Sequence, residues 1–303
     1  MGTMTPSLTR LRRSFLFVPG SDERKLAKAA ERGADAVILD LEDAVAVTRK
    51  TEARKLVCAL LGASPDQSTE WLVRVNSLAT PFFEADLNAV VRARPDALVI
   101  PKVDSTEMVT RVDSLLTKVE LAAGLPARCT KVFPQIESAR GIQNAPAIAA
   151  ATSRLLGLML GHVDLCVDFG IPAGRADERI VQHARCQLLF AARTAGLDAV
   201  DTISLDFREL AVLRDETGQA AAMGFTGKLA IHPVQLSVIH EAFTPSGARV
   251  QRAERVLDAW REAEAKGLGV CTLDGELVER PVMEAERRVL ERARRAQRAR
   301  STE

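Results

Sequence analysis

Eight times along this chain a short β-branched or apolar run gives way to a longer stretch with helix-period apolar spacing, and that alternation restricts its fold more than any other feature. The runs fall at 14–18, 35–41, 71–75, 97–100, 131–136, 155–160, 199–204 and 228–231. Parallel strands need crossover connections, and helices of this length supply them. Pro19-Gly20 closes the first run, Ser21 or Asp22 can cap a helix reaching Arg32, and Gly33 ends it. Gly62 and Pro65 stop the helix expected at 51–61. No Pro/Ser-rich linker separates the eight units, so one closed barrel fits better than two open sheets, with a doubly wound sheet as the alternative. Beyond Pro245 the period is purely helical, broken at 267–275. The expected fold class is α/β: a (β/α)8 TIM barrel over 1–245 with a helical C-terminal extension over 246–303.

Composition narrows the partners. Among 303 residues, 41 Lys and Arg stand against 40 Asp and Glu, so no global field draws the chain to nucleic acid or to a membrane surface. A small molecule is the expected partner. At 47% apolar and 27% charged the chain can bury a large core. No apolar run approaches the ~18 residues of a membrane span, and the amino terminus lacks the layout of a secretion signal, so a cytoplasmic location is expected. Five widely spaced cysteines form no C-x-x-C pair, which argues against a disulfide framework or zinc knuckle. Tyrosine is absent, leaving proton transfer to carboxylate, histidine, lysine or water. The arginine-rich end, EAERRVLERARRAQRAR, reads as a solvated helix face with i,i+4 charge pairs.

The carboxyl ends of barrel strands converge on one mouth, where chemistry is to be sought. The second run ends in Asp40-Leu41-Glu42-Asp43, the third carries Arg74 and Asn76, and the fourth leads into Pro101-Lys102. The fifth ends in Gln135-Ile136-Glu137, the sixth leads into Gly161-His162-Val163-Asp164, and the eighth into His232-Pro233. So much polarity on one rim requires compensation, which a divalent cation supplies. Magnesium takes few carboxylate oxygens and keeps water positions that a substrate can fill. Glu137 and Asp164 end adjacent strands and can give one oxygen each; the alternative has Glu137 capping the next helix and Asp164 paired with an arginine. Glu42 and Asp43 either hold metal-bound waters or cap a helix.

Arg74 sits in the apolar string WLVRVN, where its fork demands an anion. A bidentate carboxylate partner is the natural inference, and a salt bridge to Glu42 or Asp43 the competing one. Lys102 either screens the acids or forms a Schiff base, and neighbouring acids oppose the latter by raising its pKa. His162 and His232 read as hydrogen-bonding fixtures before catalysts.

The strings FVPGSDERKLAKA, GADAVILDLEDAV, VRVNS, IPKV, FPQIES, GHVDLCVDFG, GFTGKLAIHPVQ and TLDGELVERP, in this order, resemble the citrate lyase β-subunit-like branch of the HpcH/HpaI aldolase family. The resemblance implies a homotrimeric or homohexameric barrel acting on coenzyme A thioesters of hydroxy acids, with magnesium at its mouth. Relatives cleave citryl, malyl or citramalyl thioesters or hydrolyse malyl thioesters. By the same resemblance Glu137 and Asp164 are the magnesium ligands, Asp168 has no metal role, and Arg74 grips the oxo-acid carboxylate in catalysis. Phe17 and Lys28 line the coenzyme pocket, Ile231 and His232 flank it, and backbone amides around Val163 and Asp164 face a substrate oxygen.

Two departures stand out. Malyl-CoA lyase relatives carry an arginine where this chain has Asp22, with Arg24 nearby. Where relatives extend an aspartate over a neighbouring subunit's mouth, this chain has Glu279, one methylene longer, and Asp274 aligns poorly. The expected reaction is magnesium-dependent cleavage or formation of a 3-hydroxyacyl-CoA thioester, through an enolate, with a 2-oxo acid and acetyl-CoA as the other side. Glu279 would be its acid or base. The alternatives are a thioester hydrolase, a 2-oxo acid aldolase, or a non-catalytic ligand-binding subunit. An acyl-carrier protein is a further partner that the resemblance admits.

Overall fold

The strands β1 (Ser14–Pro19), β2 (Ala36–Asp40), β3 (Glu70–Arg74), β4 (Ala97–Ile100), β5 (Lys131–Ile136), β6 (Gly157–Leu160), β7 (Asp198–Asp201) and β8 (Gly227–Ala230) form a closed parallel barrel in a computed structural model. It describes residues 10–63, 68–172 and 178–300. Closure is carried by the pairing of Ser14 with Lys228 and Leu16 with Ala230. The helices α1 (Glu23–Ala27), α2 (Lys50–Gly62), α3 (Phe83–Ala93), α4 (Thr106–Ala122), α5 (Ala139–Ala149), α6 (His162–Asp168), α7 (Glu178–Thr194) and α8 (Leu210–Met223) lie between successive strands. α9 (Leu236–Phe243), α10 (Gly247–Ala265) and α11 (Arg280–Arg300) follow, with the strands β9 (Val270–Leu273) and β10 (Glu276–Glu279) between the last two. The chain divides into two compact units, Met1–Ile239 and His240–Glu303.

Strand alternation decides what reaches the mouth. Phe15, Ile38, Leu72, Val99, Phe133, Met159, Val200 and Leu229 pack together inside the barrel, with Phe15 and Phe133 edge to face at 5.6 Å. Two residues further along, the same faces carry Phe17, Asp40, Arg74, Gln135, Gly161, Thr202 and Ile231. The apolar floor thus gives way within one layer to a polar ring.

At the opposite end Arg12, ahead of β1, closes the barrel floor. Its guanidinium donates to Glu70 at 2.6 and 2.8 Å and to Asp198 at 2.8 Å, with all three residues buried. Arg13 grips Asp35 likewise at 2.8 Å.

Two local expectations are corrected. The helix after the first strand does not run unbroken to Arg32: α1 ends after five residues, and Ala30–Arg32 form a separate 3-10 turn before Gly33 (φ 71°). The cause is local: Lys28 leaves helical geometry with its ψ at 4°, and its amide donates to the carbonyls of Leu26 and Lys25. The break at 267–275 in the second unit is in part a β-hairpin. Asp274 (φ 53°) and Gly275 (φ 82°) form its turn, with positive φ at both central residues as tight hairpins demand. Val256 and Trp260 of α10, Val278 of β10 and Met283 of α11 make that unit's core. Pro65 lies outside the described residues. Among the described residues no helix is long and apolar enough to cross a membrane.

Removing one partner of a buried ion pair leaves an uncompensated charge. Arg12→Met, which strands Glu70 and Asp198, is therefore expected to cost about 3–5 kcal/mol in urea unfolding. A loss below about 1 kcal/mol would show that the floor does not depend on this pair.

Candidate active site

Asp40 and Arg74 occupy paired positions on β2 and β3, both turned into the barrel. The guanidinium donates from Nε to Oδ1 and from Nη2 to Oδ2, each at 2.7 Å. The fork of Arg74 thus makes a salt bridge within the barrel, the competing reading, with Asp40 in place of Glu42 or Asp43 as its bidentate partner. Its remaining nitrogen, Nη1, lies 3.3 Å from Glu42 and 3.6 Å from Asp43, and the guanidinium sits 4.7 Å above the Phe17 ring. Burial alone would raise the Asp40 carboxyl, but Arg74 and the amides of Glu42 and Ala44 outweigh it and hold Asp40 below the usual range. Those amide bonds, at 2.9 and 3.1 Å, fold the loop after β2 over the mouth. The Lys50 ammonium reaches the carbonyls of Leu41 and Glu42 at 2.8 and 2.6 Å and holds the same loop from α2.

Glu137 follows β5 and is 3% exposed. Oε1 accepts the Lys102 amide at 2.6 Å and Oε2 accepts the Gln135 side-chain amide at 2.9 Å. Helix α5 is capped elsewhere: Ser138 accepts from the Gly141 amide at 3.1 Å, and Asp168 from the Ala139 amide at 2.7 Å. Glu137 thus does not cap α5; its carboxylate lies against Gln135 and Gly161, two residues of the cavity lining, and is not itself part of that lining. Its carboxyl is pushed up to about 8, first by burial and then by the negative charges of Asp164 and Glu42. Gly161 is the residue that permits this approach, since a Cβ there would stand 2.3 Å from Glu137 Oε2.

Asp164 and Val163 lie in the first turn of α6, whose leading amides have no acceptor within the helix. Asp164 has a half-exposed side chain 4.0 Å from the Lys102 ammonium. Lys102 also donates to Glu42 at 2.9 Å and lies 3.5 Å from Asp43. Burial lowers the Lys102 pKa, but these acids raise it further still, so the ammonium stays charged and a Schiff-base role is disfavoured.

The cavity at this mouth is about 350 Å³, and Glu42, Lys102 and Glu137 stand outside its lining. Phe17, Asp40, Asp43, Arg74, Gln135, Val163, Asp164 and Ile231 line it, as does His162. Glu42 is at hand through Arg74 and Lys102. Lys28 and His232, also expected here, lie outside that lining too. Lys28 is exposed at the end of α1, outside this lining. His232 caps the Pro233–Gln235 turn, accepting from the Val234 amide at 3.2 Å, and stacks on Phe207 at 4.6 Å. Glu279 is the exposed last residue of β10, in the second unit. His162 is held by a 2.6 Å hydrogen bond between Nδ1 and the Thr202 hydroxyl, and burial lowers its pKa.

Sequence reasoning missed Gln135 as a side chain in contact with Glu137, although both point inward by strand alternation. It also missed the helix-capping role of Asp168. Beside the mouth, Asp22 accepts from the Lys25 amide at 3.1 Å as the cap of α1. Arg24, Lys25 and Arg49 share a groove with it, and Ala44 lines both groove and cavity.

Do these residues fit a hard cation? Among the described residues no group of three or more His, Cys, Asp or Glu forms a metal cage. Two carboxylates with open positions are what magnesium uses. Two buried oxygens, Glu42 Oε2 and Gln135 Oε1, lack a hydrogen-bond donor. Of these, Gln135 lines the cavity, and Glu42 Oε2 has Arg74 Nη1 3.3 Å away without a hydrogen bond; with the negative surroundings that drive Glu137 upward, the donor set fits.

Comparison with known proteins matches residues 13–233 to HpcH/HpaI aldolase/citrate lyase. The chain is 39% identical over 286 residues to the citrate lyase subunit beta of Haemophilus influenzae, covering 94% of this chain and 98% of that one. It is 40% identical over 267 residues to a (3S)-malyl-CoA thioesterase of Cereibacter sphaeroides, covering 88% and 89%. The crystal structure of CitE from Mycobacterium tuberculosis in complex with magnesium, acetoacetate and coenzyme A superposes with a TM-score of 0.79 at 32% identity, over 94% of this chain and 99% of that one.

A carboxyl raised in the folded state binds its proton more tightly there than when unfolded. The cation-free fold therefore loses stability as pH rises from the ordinary glutamate range toward 8. Glu137→Gln is expected to raise the melting temperature by several degrees at pH 8 to 9, each kcal/mol being worth about 2–4 °C in a unit this size. Near pH 5 the gain should vanish. Scanning calorimetry without divalent cations checks this, and parallel pH curves for the two proteins would refute it.

Proposed function

The chain belongs to the HpcH/HpaI aldolase/citrate lyase family, and on that premise we propose that it is a magnesium-dependent carbon–carbon lyase. Its substrate is a 3-hydroxyacyl-CoA thioester, cleaved to a 2-oxo acid and acetyl-CoA or formed from them. The observation that carries this reading is the acidic mouth: Glu137 is buried beside Asp164 and Glu42, with Arg74 and Lys102 as the nearby cations. Glu137 and Asp164 would hold Mg2+, which when bound supplies Lewis-acid polarisation of the 2-oxo and carboxylate oxygens.

The chain's own residues supply alignment and charge. Arg74, locked to Asp40 by one edge, presents Nη1 to the substrate carboxylate and fixes the breaking bond. The amides of Val163 and Asp164 face a substrate oxygen, and Gln135 offers its oxygen as an acceptor. On cleavage the hydroxyl proton leaves to a base and that C–O bond becomes a carbonyl. The C–C electron pair moves to the thioester's CH2, and the resulting enolate takes a proton at carbon to give acetyl-CoA. The base is Glu279 from a neighbouring subunit of a homotrimer or homohexamer. The groove of Arg24, Lys25 and Arg49 receives the coenzyme phosphates, with Phe17, Lys28, Ile231 and His232 along the coenzyme's path. Likeness to a malyl-CoA thioesterase favours hydrolysis as the second reading.

Incubation with malyl-, citramalyl- and citryl-CoA in magnesium is expected to give a 2-oxo acid and acetyl-CoA from at least one of them. Free CoA with an intact hydroxy acid would instead mark a hydrolase. Glu137→Ala and Asp164→Ala should each lose about a hundredfold or more while keeping a wild-type circular dichroism spectrum. Full activity in excess chelator would sink the metal assignment.

For the shared site, inactive Arg74→Lys and Glu279→Gln proteins are to be mixed and allowed to exchange subunits. Partial recovery of turnover is expected, because some mouths then carry both native residues. Absence of recovery after demonstrated exchange would place the base within one chain.

A further inference from the structure

Lys102 touches every acid of the mouth except Asp40. Its Nζ donates to Glu42 at 2.9 Å, lies 3.5 Å from Asp43 and reaches Asp164 at 4.0 Å. Its backbone amide donates to Glu137 at 2.6 Å. To do both, the residue adopts φ 56°, the left-handed region that a long side chain enters only when its surroundings impose it. The strand before it is wholly buried, and the strained residue is the hinge that turns the amide toward β5 and the ammonium toward β2 and β6. Arg74 shares Glu42 and Asp43 through Nη1, at 3.3 and 3.6 Å, while its other two nitrogens are committed to Asp40; the ammonium of Lys102 is the cation that reaches Asp164.

We propose that Lys102 is a built-in counter-ion: it holds the carboxylates of the mouth together when no divalent cation is bound and, by competing for the same carboxylates, sets how tightly that cation binds. The inference rests on the reading of Glu137 and Asp164 as magnesium ligands. Of the two carboxylates read as ligands the ammonium reaches Asp164, at 4.0 Å; an ammonium and a divalent cation at one mouth repel each other, and each weakens the other's hold. The amide is a separate contribution. It holds Glu137 Oε1 in place whatever the side chain at 102 is, provided the backbone keeps its left-handed turn. Lys102 is on this account a positioning residue that makes no contact with the reacting atoms.

The test is magnesium binding to the substrate-free protein by calorimetry, with thermal unfolding in parallel. Lys102→Met keeps the stem without the charge, and Lys102→Gly keeps the turn without any side chain. Both are expected to bind Mg2+ about tenfold more tightly than wild type. The melting temperature of the magnesium-free Met variant should fall, and the rise on adding Mg2+ should grow. Lys102→Arg, which keeps the charge, should bind near the wild-type level. If wild type binds Mg2+ and neither neutral variant binds it more tightly, the counter-ion inference is overturned while the metal reading stands. Should wild type and all variants take up no Mg2+, the metal reading falls and this inference with it. Should Lys102→Met fail to fold, Lys102→Gly carries the same comparison without the left-handed strain.

Discussion

The mouth of this barrel concentrates more negative charge than its own cations balance, and the rest of the site is arranged around that excess. Asp40, Glu42, Asp43, Glu137 and Asp164 crowd one rim opposite Arg74 and Lys102. Taking a carboxylate out of water is costly unless a partner compensates it. Asp40 is compensated fully, with a guanidinium fork and two backbone amides, and stays ionised. Glu137 receives two donors yet remains driven toward its neutral form. The two buried acids separate by environment: one anchors an arginine, the other is left wanting a cation.

Arg74 consequently has two duties that cannot be pulled apart by simple substitution. Two of its three nitrogens neutralise Asp40 and so stabilise the fold, while Nη1 and the face above Phe17 remain toward the cavity. A lysine there would forfeit the planar fork that Asp40 requires as well as any grip on a substrate. The same coupling runs through Gly161. Its lack of a side chain lets Glu137 sit against the start of α6, and the first turn of α6 then brings Val163 and Asp164 to the same cavity. A ligand that relieves unbalanced charge at such a site stabilises the whole unit by mass action. Strain of this kind is what functional sites commonly retain at the expense of stability.

Much of the fold is legible in the sequence. The barrel was readable because eight β-branched runs alternate with helix-period segments, and its mouth because polar residues gather at the carboxyl ends of six of those runs. Pairing was not readable. Asp40 and Arg74 are 34 positions apart, and only the register of β2 on β3 makes them neighbours. The sequence offered Glu42 and Asp43 as equally good partners, and the structure gives them the weaker contacts. The hairpin in the second unit carried its own signal, Asp-Gly between two apolar-alternating strings, which helical periodicity on either side obscured. Likewise Asp168 resembles any loop acid until the amide of Ala139 is seen to point at it.

The cavity wall bears on the choice between cleaving a carbon–carbon bond and hydrolysing a thioester. Around the charged rim stand Phe17, Leu160, Ile203, Leu205, Leu229 and Ile231, apolar side chains from β1, β6, β7, β8 and the segments that follow them. An apolar collar strengthens every charge interaction inside it and disfavours stray water. Both effects help an enolate survive long enough to be protonated at carbon. Hydrolysis needs the reverse, a water held near the thioester carbonyl by a base. Of the buried acids at the mouth, Asp40 is engaged by Arg74, Glu42 by Lys102, and Glu137 by two donors. The proposed lyase chemistry asks of these residues only that they hold charge and geometry, which is what their hydrogen bonds already do.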